Sequence, residues 1–198
     1  PPICNIEDGP SGIAYYPGTG LTPAYAGMMF ITHFKGAISN SGIYTYKVKP
    51  EGASYAIEEA APFLTGALPT DVRFGPDGKL YYSDWAEGWP KSKRGRIYSI
   101  ADPTRANDPL VKETRALIAG DWTKRSDAEL AKLLAHADWR VRLEAQYTLA
   151  DRGVSAIAAL SQIAHESDGF ARLHAVWALG MIARQHSQAT DALRAVIA

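Results

Sequence analysis

The spacing of apolar and polar residues divides the chain into two halves. From residue 11 to about residue 102, short apolar runs alternate with clusters of Gly, Pro, Asn and Asp. From about residue 109 onward, apolar residues recur three and four positions apart, and Ala, Leu and Arg become frequent. The first pattern is typical of β-strands and the second of amphipathic helices. The sequence therefore predicts an all-β half followed by an α-helical half.

Seven short strands are predicted in the first half, which is a pattern typical of an antiparallel sandwich, barrel or propeller. They are the runs GIAYY, GMMFITHF, GIYTYKV, SYAIEEAAPFL, TDVRF, KLYYSDW and GRIYSI. The turn formers from Gly75 to Gly78 predict a tight hairpin between the fifth and sixth runs. Grouped in fours, the runs give one four-stranded sheet and three strands of a second sheet.

The helical half contains an internal repeat. A shift of 30 residues carries Asp138 onto Asp168, Arg142 onto Arg172 and Leu149 onto Leu179. Each unit is predicted to be a helix, an Asp-containing turn and a second helix, which the aspartate caps. The stretches DWRVRLEAQYTLADRG and DGFARLHAVWALGMIA resemble the second helices of HEAT repeats. The resemblance covers residues 127–198 and implies an α-helical solenoid that offers its surface to a protein partner.

The repeated arginines Arg142 and Arg172 have two interpretations. They form a ladder that binds an acidic partner, or each bonds to the aspartate-containing turn and the carbonyl groups of its own repeat. The second interpretation is favoured, because a repeated position is explained first by the geometry that all repeats share.

The β half resembles the last blades of the six-bladed propellers of the glucose and sorbosone dehydrogenase family. The stretches that carry this resemblance are GPSGIAYYPGTGLTPAYAGMMFITHFKG, LPTDVRFGPDGKLYYSDW and GRIYSI. It is closest to a branch in large multidomain bacterial proteins, where HEAT-like repeats and a haem-binding cytochrome module follow the propeller. Because the chain has no initiator Met and the second sheet lacks a strand, we expect it to be a fragment of such a protein.

Together these patterns imply a β plus α fold with two domains. A partial β-propeller of about two antiparallel blades is expected at residues 1–108, followed by a linker or helical cap at 109–126. HEAT-like repeats of about 30 residues are expected at 127–198.

The propeller resemblance also implies a function. Members of that family oxidise a sugar or an alcohol with pyrroloquinoline quinone and calcium, and here the electrons would pass to a cytochrome c module or another acceptor. It implies a periplasmic or secreted location as well. Lys35 matches a lysine that pairs with the carboxylates of the quinone, and Asp71 is placed with it as a cofactor-binding residue. Leu68 and Thr70 stand where the family has arginines, and Arg73 is expected only to decorate a face of the sheet.

Propeller geometry places four loops of this half at one rim, where a substrate would bind. His33 is the candidate general base, which would take a proton from a substrate hydroxyl. The alternative, which is favoured for a single histidine at a strand end, is a plain hydrogen-bonding group. Asp84 either binds the ligand or caps a turn, and the aromatic residues either stack on a ring or fill the space between blades. The predicted ligand rim consists of Asn40, Asp84, Trp85, Trp89 and Arg94.

The composition argues against several other classes of function. The 21 basic and 21 acidic residues balance, which argues against a nucleic-acid partner held by long-range electrostatics. Cys4 is the single cysteine, and the histidines of the helical half have no ligand spacing, so no metal site is predicted. No run is long enough to predict a membrane span. The alternative to a dehydrogenase is a propeller and HEAT module that binds a glycan or a protein without catalysis. The presence of Leu68 and Thr70 where the family has arginines favours this alternative.

Overall fold

The computed structural model describes residues 2–6, 9–86 and 93–197. The chain divides into two compact units, Pro1–Lys112 and Glu113–Ala198, which we call the β unit and the helical unit. The unit boundary falls in the stretch for which the sequence predicts a linker or helical cap.

The β unit contains two antiparallel sheets. The first has four strands in sequential order, β1 Pro10–Tyr15, β2 Met28–His33, β3 Gly42–Glu51 and β4 Ser54–Thr65. The second has three strands in sequential order, β5 Pro69–Phe74, β6 Leu80–Asp84 and β7 Arg96–Ile100. The predicted grouping of four strands and then three is therefore confirmed.

The core of the β unit lies between the two sheets. Phe30 is fully buried, and its ring centroid lies 5.2 Å from that of Phe74 on β5. Ile43 on β3 and Leu80 on β6 are also fully buried in the same cluster. Because side chains alternate along a strand, the neighbours of these residues point to the opposite faces of the sheets. Those opposite faces carry exposed apolar side chains, with Ile13 50% and Ile97 78% exposed.

The strand registers place several strand ends along common edges. In the first sheet, Pro10 lies opposite His33, and His33 lies opposite Gly42. In the second sheet, Pro69 lies opposite Asp84, and Asp84 lies opposite Arg96. The start of β1 and the end of β2 are thus adjacent, as are the start of β5 and the end of β6.

The helical unit consists of short helices that pack in pairs within each repeat and against the helices of the next repeat. After α1, Pro109–Ala119, come α2 Asp127–Leu133, α3 Trp139–Asp151, α4 Ile157–Glu166, α5 Gly169–Ala183 and α6 Ser187–Ile197. The core is built from buried leucines and alanines at repeated positions, such as Leu149 and Leu179. Among the described residues, none of the helices has the length and apolar character needed to cross a membrane.

The two repeats do not cap their second helices in the same way. The buried Asp138 carboxylate accepts hydrogen bonds from the Arg140 backbone N–H, at 2.9 Å, and from the Arg140 guanidinium. Asp168 makes no side-chain capping bond to α5, so the prediction that both aspartates cap is wrong for this repeat. The repeat position of Arg140 is held by Phe170, which has no guanidinium to hold the Asp168 carboxylate over the helix end.

Candidate functional site

A cavity of about 660 Å³ lies beside β1 and β5 in the β unit. A volume of this size is typical of sites for small molecules. The backbone of β1 forms one wall, and Thr70, Asp71 and Arg73 of β5 form another. The apolar residues Ile6, Pro10, Ile13 and Ile31 also line the cavity.

Hydroxyl groups on both walls are positioned by hydrogen bonds to neighbouring strands. Ser11 Oγ lies 2.9 Å from Thr32 Oγ1, and Thr70 Oγ1 lies 2.8 Å from Ser83 Oγ. A hydroxyl can donate one hydrogen bond and accept two, so both groups keep capacity for a ligand. The cavity therefore offers hydroxyls in fixed places.

Gly12 allows Asp71 to approach β1. A Cβ atom at position 12 would lie 2.6 Å from both the Cα and the Oδ1 of Asp71, which is closer than such atoms come. The Asp71 carboxylate also accepts a hydrogen bond of 2.8 Å from the Val72 backbone N–H. Glycine at this position thus sets where the carboxylate lies in the cavity.

Arg73 brings a cation to the same cavity. Its Nη1 donates a 2.7 Å hydrogen bond to the Ile13 carbonyl oxygen, which ties the guanidinium to β1. Its Nη2 lies 3.7 Å from Asp71 Oδ2, and the two side chains are 69% and 47% exposed. Exposed pairs of this kind contribute at most about 1 kcal/mol, so a ligand can compete for either partner.

The sequence prediction and the cavity overlap at Asp71. Lys35 does not line the cavity; it is half-buried, and its backbone N–H donates to Ser41 Oγ at 2.9 Å. Of the two positions where arginines were expected, Thr70 lines the cavity and Leu68 is fully buried. A longer cationic side chain at position 70 would enter the cavity, whereas one at position 68 would begin in the core.

Asp84 and Trp85, two residues of the predicted rim, contact neighbouring segments of the β unit. The buried Asp84 carboxylate accepts a 2.9 Å hydrogen bond from the Leu68 backbone N–H, which joins the end of β6 to the start of β5. The ring centroids of Trp85 and Phe34 lie 5.9 Å apart in an edge-to-face contact. These contacts give both residues a part in the packing of the β unit.

His33 lies within the first sheet and does not line the cavity. The side chain is 5% exposed, and its Nε2 lies 3.0 Å from Tyr46 Oη. Its ring also stacks on Tyr44 at a centroid distance of 4.4 Å. These contacts match the interpretation of His33 as a hydrogen-bonding group of the sheet.

The remaining rim residues are not gathered at the cavity. Asn40 is exposed, and its backbone N–H bonds to Ala37 O. Arg94 is exposed shortly before β7. Trp89 lies outside the described residues.

Sequence reasoning missed Ser11 and assigned Arg73 to an open face of the sheet. Both residues line the cavity because β1 and β5 lie side by side, which depends on contacts between the sheets. The one signal in the sequence is Gly12, because a strand glycine often marks the close approach of another backbone.

The helical unit contains a buried polar cluster that links α3 with α5. Arg142 Nε donates to His174 Nε2 at 3.2 Å, and its Nη1 donates to the carbonyl groups of His136 and Ala137. The latter bonds are those expected of an arginine that serves its own repeat. Because His174 Nε2 accepts, the proton lies on Nδ1, which donates to Gln146 Oε1 at 2.7 Å. Burial, followed by the Arg142 charge, lowers the pKa of His174 to about 4.

Large apolar side chains lie exposed beside this cluster. Phe170, Leu173 and Trp177 occupy one face of α5, at 59%, 40% and 50% exposure. Tyr147 on α3 holds the repeat position of Trp177 and is 43% exposed. The Arg142 guanidinium lies 4.1 Å from the Phe170 ring centroid, and the His174 ring meets Trp177 edge-on. The buried cluster thus supports an exposed aromatic surface, which we define by these four residues.

Comparison with known proteins identifies the C-terminal part of the chain. Residues 127–198 match the HEAT repeats family, so this part of the chain is HEAT-like. No curated protein and no solved structure matches the chain. Repeats of the HEAT type generally mediate interactions between proteins.

Proposed function

We propose that the β unit is a pair of neighbouring propeller blades whose cavity binds a sugar or another polyhydroxy compound. The observation that carries the proposal is the cavity of about 660 Å³, which combines hydroxyls, a carboxylate and a guanidinium. Such groups exchange hydrogen bonds with the many hydroxyls of a polyol, and the apolar lining of Ile6 and Ile31 suits its carbon skeleton.

The arrangement of the sheets supports the propeller part of the proposal. Each sheet is a meander in which strands follow one another in order, as in a propeller blade. The outer strand β7 has one neighbour, β6, among the described strands, and Ile97 on β7 exposes apolar surface on the outward face of the second sheet. A neighbouring blade on that face would bury this side chain.

Oxidation by a quinone receives less support from the cavity. Pyrroloquinoline quinone carries three carboxylates, whereas Arg73 is the single cationic side chain among the described residues that line the cavity. Asp71 adds a negative charge there, and no group of three or more potential metal ligands occurs in the described part of the chain. These residues do not fit the quinone with its calcium, so we derive no step through it. The dehydrogenase activity, the cytochrome acceptor and the periplasmic or secreted location stay predictions of the resemblance.

Binding of simple polyols tests the proposal. Isothermal titration of the full-length protein with D-glucose and D-sorbitol should give a dissociation constant below about 10 mM for at least one of them. Thr70→Val removes a cavity hydroxyl and should weaken binding about three- to tenfold, since one neutral hydrogen bond is lost. Thr148→Val, which alters a hydroxyl on α3, should leave the affinity unchanged. Absence of polyol binding, or equal effects of the two substitutions, would contradict the proposal.

A dye-reduction assay on the same protein distinguishes a binding module from a dehydrogenase. Pyrroloquinoline quinone and calcium are added, and dye reduction is followed with an aldose. We expect no sugar-dependent reduction; reduction that depends on the quinone would establish the dehydrogenase instead.

A second function is favoured by the aromatic surface of the helical unit, which we propose binds a protein. Four large apolar side chains on two adjacent helices exceed the scattered exposure usual for a surface. A photo-crosslinking residue in place of Trp177 should give one discrete protein adduct in cells, and Phe170→Ala should abolish it. The same probe at the exposed Gln162 on α4 is the control, and an equal pattern at both positions would argue against the surface.

A further inference from the structure

Arg73 has the geometry of a group that pairs with a carboxylate of a ligand. The bond from Nη1 to the Ile13 carbonyl oxygen fixes one side of the guanidinium. The contact with Asp71 is long, at 3.7 Å, and exposed. A guanidinium has five N–H donors, so these two contacts leave donors that can form a paired set of hydrogen bonds with a carboxylate.

Asp71 limits how much negative charge the cavity accepts. Its carboxylate lies over Gly12 and accepts the Val72 N–H, and it lines the same cavity as Arg73. A carboxylate bound to Arg73 would place the guanidinium between two anionic groups. A second negative group on the ligand would add repulsion that no other cation among the described lining residues offsets. Hydroxyl groups, by contrast, donate to a carboxylate.

The charges of the cavity therefore distinguish three kinds of ligand. With a neutral sugar, the Arg73 guanidinium would have only its long, exposed contact with Asp71 as an ionic interaction. A ligand with several anionic groups would be repelled by the Asp71 carboxylate. One carboxylate with several hydroxyls matches the groups that the described lining residues bring, which are one guanidinium, one carboxylate and the hydroxyls of Ser11 and Thr70.

We infer that the ligand is a hydroxylated monocarboxylic acid of the sugar-acid class. Its carboxylate pairs with Arg73, and its hydroxyls bond to Asp71, Ser11 and Thr70. This inference rests on the proposed function, because it names the class of polyhydroxy compound that the cavity binds. Arg73 is then the residue that determines specificity for an acid over the corresponding alcohol.

Titration with D-gluconate and D-sorbitol tests the inference, because these compounds differ at one terminal carbon. The full-length protein should bind D-gluconate about tenfold or more tightly than D-sorbitol, since a charge-assisted pair is added. Arg73→Gln should reduce this preference to less than about threefold, because affinity for D-gluconate falls more than affinity for D-sorbitol. Arg73→Lys keeps the charge but not the paired geometry and should give an intermediate preference.

Lys49→Gln is the matched control, because it removes an exposed positive charge from β3 at a position outside the cavity lining. It should keep the full preference for D-gluconate. Equal binding of the two compounds by the wild-type protein, or an unchanged preference in Arg73→Gln, would overturn the inference while the proposed function stands. Failure of D-gluconate, D-sorbitol and D-glucose alike to bind would overturn the inference and the proposed function together. Circular dichroism shows whether each variant is folded. If Arg73→Gln does not fold, Arg73→Lys supplies the test.

Discussion

The β unit and the helical unit use their polar side chains in opposite ways. In the helical unit, Arg142, His174 and Gln146 are buried and bond to one another across α3 and α5. In the β unit, Asp71 and Arg73 are accessible, and their mutual contact is long. A buried network fixes one arrangement of helices, whereas accessible groups with remaining hydrogen-bonding capacity can serve a ligand. The comparison separates polar residues that stabilise the fold from those available for binding.

The largest expected effect comes from the buried network. Arg142→Gln removes donors from the His136 and Ala137 carbonyls and from His174, so it should lower the free energy of unfolding by about 2–3 kcal/mol. Arg172→Gln, at the equivalent repeat position but exposed, should change it by less than about 0.5 kcal/mol. Urea unfolding followed by circular dichroism at 222 nm measures both. Similar losses in the two variants would show that the repeats use their arginines alike.

A smaller effect is expected when alanine replaces a glycine, and its sign should differ between the units. Gly12→Ala places a Cβ 2.6 Å from Asp71 and should cost about 1–2 kcal/mol, because the strands must move apart. In α5, a Cβ at Gly180 meets nothing within 4 Å, so Gly180→Ala should stabilise the protein by about 0.5–1 kcal/mol. Hydrogen exchange with mass spectrometry locates each change. Stabilisation by Gly12→Ala would refute the close approach of β1 and β5.

The smallest expected effect is a pH dependence that comes from His174. Its pKa is about 4 when folded and about 6.5 when unfolded, so the unfolded state binds the proton more readily. The stabilisation is complete above pH 6.5 and is lost as the pH falls toward 4. The expected loss is about 1 kcal/mol between pH 6.5 and 5.

Urea unfolding at several pH values measures this dependence. His174→Gln should flatten the slope in that window, whereas His165→Gln, at an exposed position, should leave it unchanged. An unaltered slope in His174→Gln would show that other groups cause the dependence.

The sequence predicted local structure better than it predicted the site. Alternating strands and turn formers revealed the two sheets, and the 30-residue shift from Asp138 to Asp168 revealed the repeats, because these signals lie within short stretches. The cavity depends on how β1 meets β5, which no local pattern reports. Asp71 was found through a resemblance, whereas Arg73 was set aside because its distance along the chain from Ile13 hides their hydrogen bond.

The sequence also did not reveal that the two repeats cap their second helices differently. Asp138 and Asp168 occupy equivalent positions, but the residues two places on are Arg140 and Phe170. The guanidinium holds the first aspartate over its helix, and the phenylalanine cannot do so. A repeat therefore predicts where a residue lies more reliably than which bonds it makes.

The hydrogen bond between Arg73 and Ile13 also bears on self-association. β1 is the edge strand of its sheet, and an edge strand presents backbone groups with which another chain can pair. The Arg73 guanidinium donates a hydrogen bond to the Ile13 carbonyl oxygen and so places a charged side chain at this edge. The guanidinium that we propose selects an acidic ligand would therefore also keep the sheet from extending into an aggregate.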